Sequence, residues 1–167
     1  RRRPDDRAEA PELHALPLSE VLGPHRNPLR DGPRGVRLPD VPREDPPLAG
    51  PHRLLVATLG DAIAGYATSG KLREKPGYLT SVETTVYVHP DRHARGIGTR
   101  LYAALFAALA SEDVHRAFAA IVIPNAPSVA LHTRFGFAPV GLFHEAGRKF
   151  GRYWDVQWFE RLGITDR

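Results

Sequence analysis

The stretch from Val82 to Tyr102, VETTVYVHPDRHARGIGTRLY, limits the fold more than any other part of the sequence. Its first half alternates. Val82, Thr84, Val86 and Val88 fall on one face of a strand, and Glu83, Thr85, Tyr87 and His89 on the other. A charged turn follows, then Gly96-Ile97-Gly98 and a segment in which Leu101, Leu105, Ala108 and Leu109 make one apolar stripe, with Tyr102 and Phe106 beside it. The pattern predicts a strand over Leu79–His89 and a helix from Ile97 to about Ser111 that covers a sheet. A helix opening on two glycines aims unpaired N–H groups and the positive end of its dipole at the turn. With Arg95 and Arg100 flanking it, the turn is a seat for a phosphate-bearing ligand. The alternative is a tight strand-to-helix connection and nothing more.

Composition narrows the ligand. The 167 residues suit one ordinary domain, and the net charge is +4. Residues 1–51 hold nine Lys/Arg and nine Asp/Glu, so the excess lies beyond them, around Arg92, Arg95 and Arg100 and again around Arg148, Lys149 and Arg152. Two local clusters fit a small anionic ligand better than a nucleic-acid backbone, so nucleic acid is not expected as a partner. The absence of cysteine excludes a thiolate metal site and a cysteine-bound acyl intermediate. The histidines, His89 and His93 included, show no ligand spacing, and no metal is expected. No apolar run approaches the roughly 18 residues of a membrane span, and no signal-peptide pattern opens the sequence, which leads to a cytoplasmic reading without membrane association. Methionine is absent too, and whether Arg1 is the true start is open.

Residues 1–51 carry eleven of the sixteen prolines and read as a Pro/Arg-rich, mostly irregular segment ahead of a compact domain over 52–167. The best helical candidate there, Arg7 to Leu22, is interrupted by Pro11 and Pro17; Gly35 to Leu38 reads as a short strand. From Arg53 the texture changes. RLLVATL and IAGYATSG form a hairpin about a Gly60-Asp61 turn, and Lys71 to Gly77 is a polar loop. Arg116 to Ile123 is a buried strand, ended by Pro124-Asn125. A short helix then runs through Leu131 and stops at Gly136. Phe137 to Glu145 and Arg152 to Arg161 are two more strands, separated by a basic loop, Ala146 to Gly151.

The order of strand, glycine turn, helix, strand, Asn-bearing short helix and Phe135-Gly136-Phe137 resembles the GNAT acetyltransferase superfamily. VETTVYVHP, GIGTRLYAAL, IPNAPSVALHTRFGF and GRKFGRYWDV are similar, motif by motif, to the phosphinothricin N-acetyltransferase family, whose relatives also act on methionine sulfoximine and sulfone. The likeness spans about Pro51 to Arg161. It implies an α/β (α+β) fold with a mixed, mostly antiparallel central sheet flanked by helices, and acetyl-CoA as co-substrate without a metal. It implies further that the backbone of Val86, Tyr87 and Val88 pairs with the pantetheine arm at a splay in the sheet. Ala94, Arg95, Gly96, Ile97, Gly98 and Thr99 would cradle the pyrophosphate, and Asn125 would hold the cofactor's far side. Where these turns commonly carry Gln or Arg three residues before the first glycine, this sequence has His93, so that side-chain contact is not carried over.

Transfer to an amine needs a base, because an ammonium ion cannot attack a thioester until a proton leaves. By resemblance Glu83 is that base; the alternative is an ordinary half-exposed glutamate paired with Arg73 or Lys75. His132 stands where many relatives place the group that protonates the departing thiolate. It would return the proton or assist Glu83, the alternative being a satisfied structural histidine. The resemblance puts Pro76, Gly77 and Tyr78 near a small amino-acid-like amine, with the Arg148/Lys149 loop able to attract its acid group. The family builds one wall of this site from a first strand and two helices, which residues 1–51 do not resemble. A catalytically weak or inactive CoA-binding regulatory or interaction domain is therefore the second reading. Trp154, Trp158 and Phe159 are candidates for a homodimer interface, with the core as their other place.

Overall fold

A computed structural model describes residues 12–15, 50–59 and 62–164. Its strands are β1 (Glu12–Ala15), β2 (Arg53–Leu59), β3 (Ala62–Lys71), β4 (Ser81–Val88), β5 (Arg116–Val122), β6 (Ala138–Lys149) and β7 (Arg152–Leu162). Helix α1 (Ile97–Leu109) joins β4 to β5, and α2 (Ala126–Arg134) joins β5 to β6. The strands form one sheet in the order β1-β2-β3-β4-β5-β7-β6. Only β4 and β5 are parallel, as a connection through a helix requires; every other neighbouring pair is antiparallel. The mixed, mostly antiparallel sheet with flanking helices is therefore the architecture observed.

Helix α1 is alanine-rich and keeps Ile97, Leu101, Tyr102, Leu105, Phe106 and Leu109 on its buried side. Each such burial is worth about 1.5–3 kcal/mol. They meet Leu55, Ala57, Ala67, Val82, Ala117, Ala119 and Ile121 of the sheet, together with Phe137 and Phe159. Glycine lets helix and strands approach. A Cβ on Gly98 would come within 3.2 Å of Leu131 and 3.5 Å of Val88, and one on Gly65 within 2.5 Å of the Tyr87 carbonyl oxygen. At the end of α2, Gly136 has φ +82°. Its N–H bonds the Thr133 carbonyl while the Phe137 N–H bonds that of His132, the paired closure that a left-handed glycine allows.

Two expectations are overturned. The helical candidate Arg7 to Leu22 contains β1, which runs extended along β2 with Leu13 opposite Ala57 and Ala15 opposite Leu55. The open edge of β2 offers more hydrogen bonds than a helix cut by Pro11 and Pro17. The supposed loop Ala146 to Gly151 is strand as far as Lys149. An irregularity between Phe143 and Gly147 lets the β6–β7 ladder resume at Gly147–Trp154, and Phe150 and Gly151, at φ +55° and +76°, make the turn. Two consecutive positive φ values match the right-handed strand twist. The Gly60-Asp61 turn and the Gly35 to Leu38 strand lie outside the described residues.

Candidate active site

The site begins where β4 and β5 part. Their pairing stops at Glu83–Phe118; β4 continues beside β3 to Val88, while β5 continues beside β7 to Val122. The hydrogen bonds give the direction of each peptide group. Thr80 accepts from His115 and Arg116 on the β5 side, and the His89 N–H donates to Ala64 on the β3 side. Even-numbered residues of β4 therefore turn their peptide groups toward β5 and odd-numbered ones toward β3. Past the fork, Val86 and Val88 face the opening. Tyr87 faces β3, where it lies opposite Tyr66, so of the three positions expected to meet pantetheine only Val86 and Val88 present backbone groups to the gap. The His93 ring, through Nε2 at 3.1 Å, donates to the Val88 carbonyl and so trims that free edge. The departure from the usual Gln or Arg thus has a place in the structure, which the sequence did not suggest.

At the far end of β4 the turn climbs through Ala94 (φ +61°) and Gly96 (φ +71°) into α1. No side chain caps this helix, and its first internal bond runs from the Arg100 N–H to the Gly96 carbonyl. The N–H groups of Ile97, Gly98 and Thr99 consequently point out of the helix end, between the exposed Arg95 and Arg100. Across the fork, Asn125 caps α2: its Oδ1 accepts from the Ser128 N–H at 3.2 Å, leaving the amide N–H groups for a ligand. A Cβ on Gly98 would touch Val86 and Val88 of β4 and Leu131 of α2, so the free strand edge and the glycine-bearing helix end are neighbours, with α2 beside them.

Glu83 sits at the fork itself, in the last β4–β5 pair and half-buried. Desolvation raises its carboxyl above the ordinary glutamate value, against the opposing pull of the Arg73 guanidinium. A raised carboxylate is a stronger base near neutral pH. On the same face, Tyr66 and Tyr87 stack at 5.6 Å, and burial raises both phenols. The turn Pro76–Tyr78 precedes β4 at the Glu83 end, with Tyr78 44% exposed, so Tyr78 is no core residue.

His132 stands on the other face. It is 3% exposed and ringed by Tyr102, Phe137 and Phe159. Its Nδ1 lies 2.7 Å from the Ser128 carbonyl, to which it can only donate, so Nε2 accepts from the Tyr102 hydroxyl at 2.8 Å. Desolvation lowers its pKa, although the Ser128 bond opposes this. Thr84, one residue after Glu83 and pointing the opposite way, contacts Tyr102. The structure therefore sets Glu83 and His132 on opposite faces of β4.

The hairpin tip overhangs the end of β5. Arg148 lies over Tyr153, Lys149 over Phe150 and Arg152 over Trp154, the last at 3.4 Å. An open surface hollow lies between this tip and Ile123-Pro124. Phe159 belongs to the core, whereas Trp154 and Trp158 are half-buried. Among the described residues no helix is long and apolar enough to cross a membrane, and no three His, Asp or Glu side chains form a metal-binding group.

Residues 50–158 match the acetyltransferase (GNAT) domain, and the chain belongs to that family, whose members use acetyl-CoA. It is 62% identical over 117 residues to a phosphinothricin N-acetyltransferase of Streptomyces coelicolor, covering 69% of this chain and 68% of that one. It is 54% identical to an N-acetyltransferase of Streptomyces griseus over 69% of this chain and 62% of the relative. The fold matches a GNAT superfamily phosphinothricin acetyltransferase from Sinorhizobium meliloti solved in complex with AcCoA, at a TM-score of 0.63 and 30% identity, over 68% of this chain and 63% of the other. The chain thus spans roughly two-thirds of the length of these relatives.

Proposed function

We propose that the protein is a cytoplasmic N-acetyltransferase that moves acetyl directly from acetyl-CoA to the amino group of a small amino-acid-like substrate of the phosphinothricin or methionine sulfoximine/sulfone type. The observation that carries this reading is the half-buried Glu83 at the mouth of a fork whose open edge leads to an uncapped helix end. Acetyl-CoA supplies a thioester carbonyl open to a neutral amine. Val86 and Val88 hydrogen-bond the pantetheine arm, and the N–H groups of Ile97, Gly98 and Thr99, with Arg95 and Arg100, hold the pyrophosphate. Ala94 and Gly96 shape that cradle, and Asn125 steadies the opposite side.

The amine enters from the Pro76-Gly77-Tyr78 side, and its ammonium proton passes to the Glu83 carboxylate. The freed lone pair attacks the thioester carbon, the C–S bond breaks, and the thiolate leaves to be protonated. A carboxylate whose pKa desolvation raises binds that proton better, and the Arg73 guanidinium opposes the rise. The test is thiol release from acetyl-CoA with phosphinothricin, methionine sulfoximine, methionine sulfone and simple amines, run beside direct measurement of acetyl-CoA binding. Turnover of at least one acidic amino compound is expected. Binding of acetyl-CoA without turnover of any amine would leave the non-catalytic CoA-binding reading in its place.

A further inference from the structure

At its base the fork is held by side chains as well as by the end of the backbone ladder. At the last pair, Glu83–Phe118, the Phe118 carbonyl is also met by the Thr84 hydroxyl, at 3.2 Å. Thr84 is 3% exposed, and its single proton is shared with the Tyr102 oxygen 3.3 Å away. Tyr102 in turn donates to His132 Nε2, and His132 Nδ1–H donates to the Ser128 carbonyl one turn back in α2. A line of buried and part-buried hydrogen bonds therefore runs from β5 through β4 and α1 to α2. These are the elements that carry the open strand edge, the uncapped helix end and Asn125. Tyr102 is the hub, packed edge-on against Phe106, His132 and Phe135.

We infer that Thr84, Tyr102 and His132 are positioning residues that set the width of the fork and the angle between its two helix starts, so that they govern acetyl-CoA affinity rather than proton transfer. Both His132 nitrogens are already engaged inside an aromatic shell, on the face of β4 away from Glu83. Its one N–H points back into its own helix, and its lone pair is filled by Tyr102. Desolvation disfavours its charged form, in keeping with its place as the acceptor for Tyr102. This inference rests on the reading of the fork as the acetyl-CoA site.

The test pairs Tyr102→Phe, which keeps the ring and removes the hydroxyl, with Thr84→Val and its control Thr84→Ser. Acetyl-CoA affinity is measured by calorimetry, and steady-state rates across pH with an amine that the unaltered protein turns over. Losing one buried hydrogen bond from the chain is expected to weaken acetyl-CoA binding about tenfold in Tyr102→Phe and Thr84→Val. Thr84→Ser should retain affinity, and kcat at saturating acetyl-CoA should stay within about threefold with an unchanged pH profile. His132→Gln, which can still accept from Tyr102, should bind better than His132→Leu. If the unaltered protein does not bind acetyl-CoA, the reading of the fork fails, and this inference with it. If it binds but Tyr102→Phe and Thr84→Val bind equally well, only the present inference fails. A hundredfold loss of kcat in both His132 variants, with affinity kept and one limb of the pH profile gone, would make His132 a proton-transfer group and overturn the assignment.

Discussion

The two faces of β4 differ in almost every physical respect. The face carrying Val82, Thr84, Val86 and Val88 lies against α1 and α2, and its polar groups are buried and paired within the protein. The face carrying Glu83, Thr85 and Tyr87 is half-exposed, with a carboxyl and a tyrosine pair whose ionisation is opposed by desolvation. A single strand thus has one side whose buried threonine is paired within the protein and another whose polar groups stay half-exposed, the side that the proposed mechanism uses. In the proposed mechanism strand parity would divide packing from chemistry.

The sharpest way to break this comparison is Glu83→Gln. The expected loss in kcat is about 10²–10⁴-fold, with acetyl-CoA affinity retained by calorimetry; a comparable loss of affinity would place Glu83 among the framework residues. On the helix-facing side, Gly65→Ala would drive a methyl group into the Tyr87 carbonyl and toward Leu101. Denaturant titration should show a loss of about 1–3 kcal/mol, and unchanged stability would mean that β3 and α1 are less closely packed than described. A subtler probe is Arg73→Gln. Because Arg73 pulls the Glu83 pKa down, its removal should move the acid limb of kcat/KM to higher pH, whereas a shift to lower pH would dissociate Glu83 from that limb. The smallest effect concerns His132. Its folded-state pKa is lowered, so the unfolded chain binds the proton more readily, and this contribution to stability is lost as pH falls below the ordinary histidine value of about 6.5. Thermal scans should show a loss on acidification that is shallower in His132→Gln.

The alternation of Val82 to Val88 and the glycine turn made β4, its parity and the start of α1 legible in the sequence, because strand and helix periods are local properties. The 109–111 end of α1 and the β6–β7 turn were less so. Residues Ala146 to Lys149 look like a loop by composition, yet pairing with β7 holds them extended, and that partner is not visible from the residues alone. The same holds for β1, where the edge of β2 decides. In the site, the face that carries Glu83 and the glycine-bearing, uncapped start of α1 follow from pattern. The commitment of Tyr87 to β3, the bond from His93 to Val88 and the Tyr102 hub depend on which groups meet in space. Tyr102 did leave one trace, as a hydroxyl on an otherwise apolar helix stripe, since a phenol placed there needs a buried partner.

The β4–β5 seam has a consequence for the mechanics of the molecule. Among the described residues, the β1–β4 meander pairs with the β5–β7 plate over three register pairs, Ser81–Arg116, Val82–Ala117 and Glu83–Phe118, with one more backbone bond from His115 to Thr80 beside them. Each plate is otherwise laced by long antiparallel ladders. Under load or in rare thermal openings, the sheet should tear along this seam before either plate unravels. Amide exchange would then sort into two cooperative blocks, with the earliest-exchanging strand amides bordering the fork.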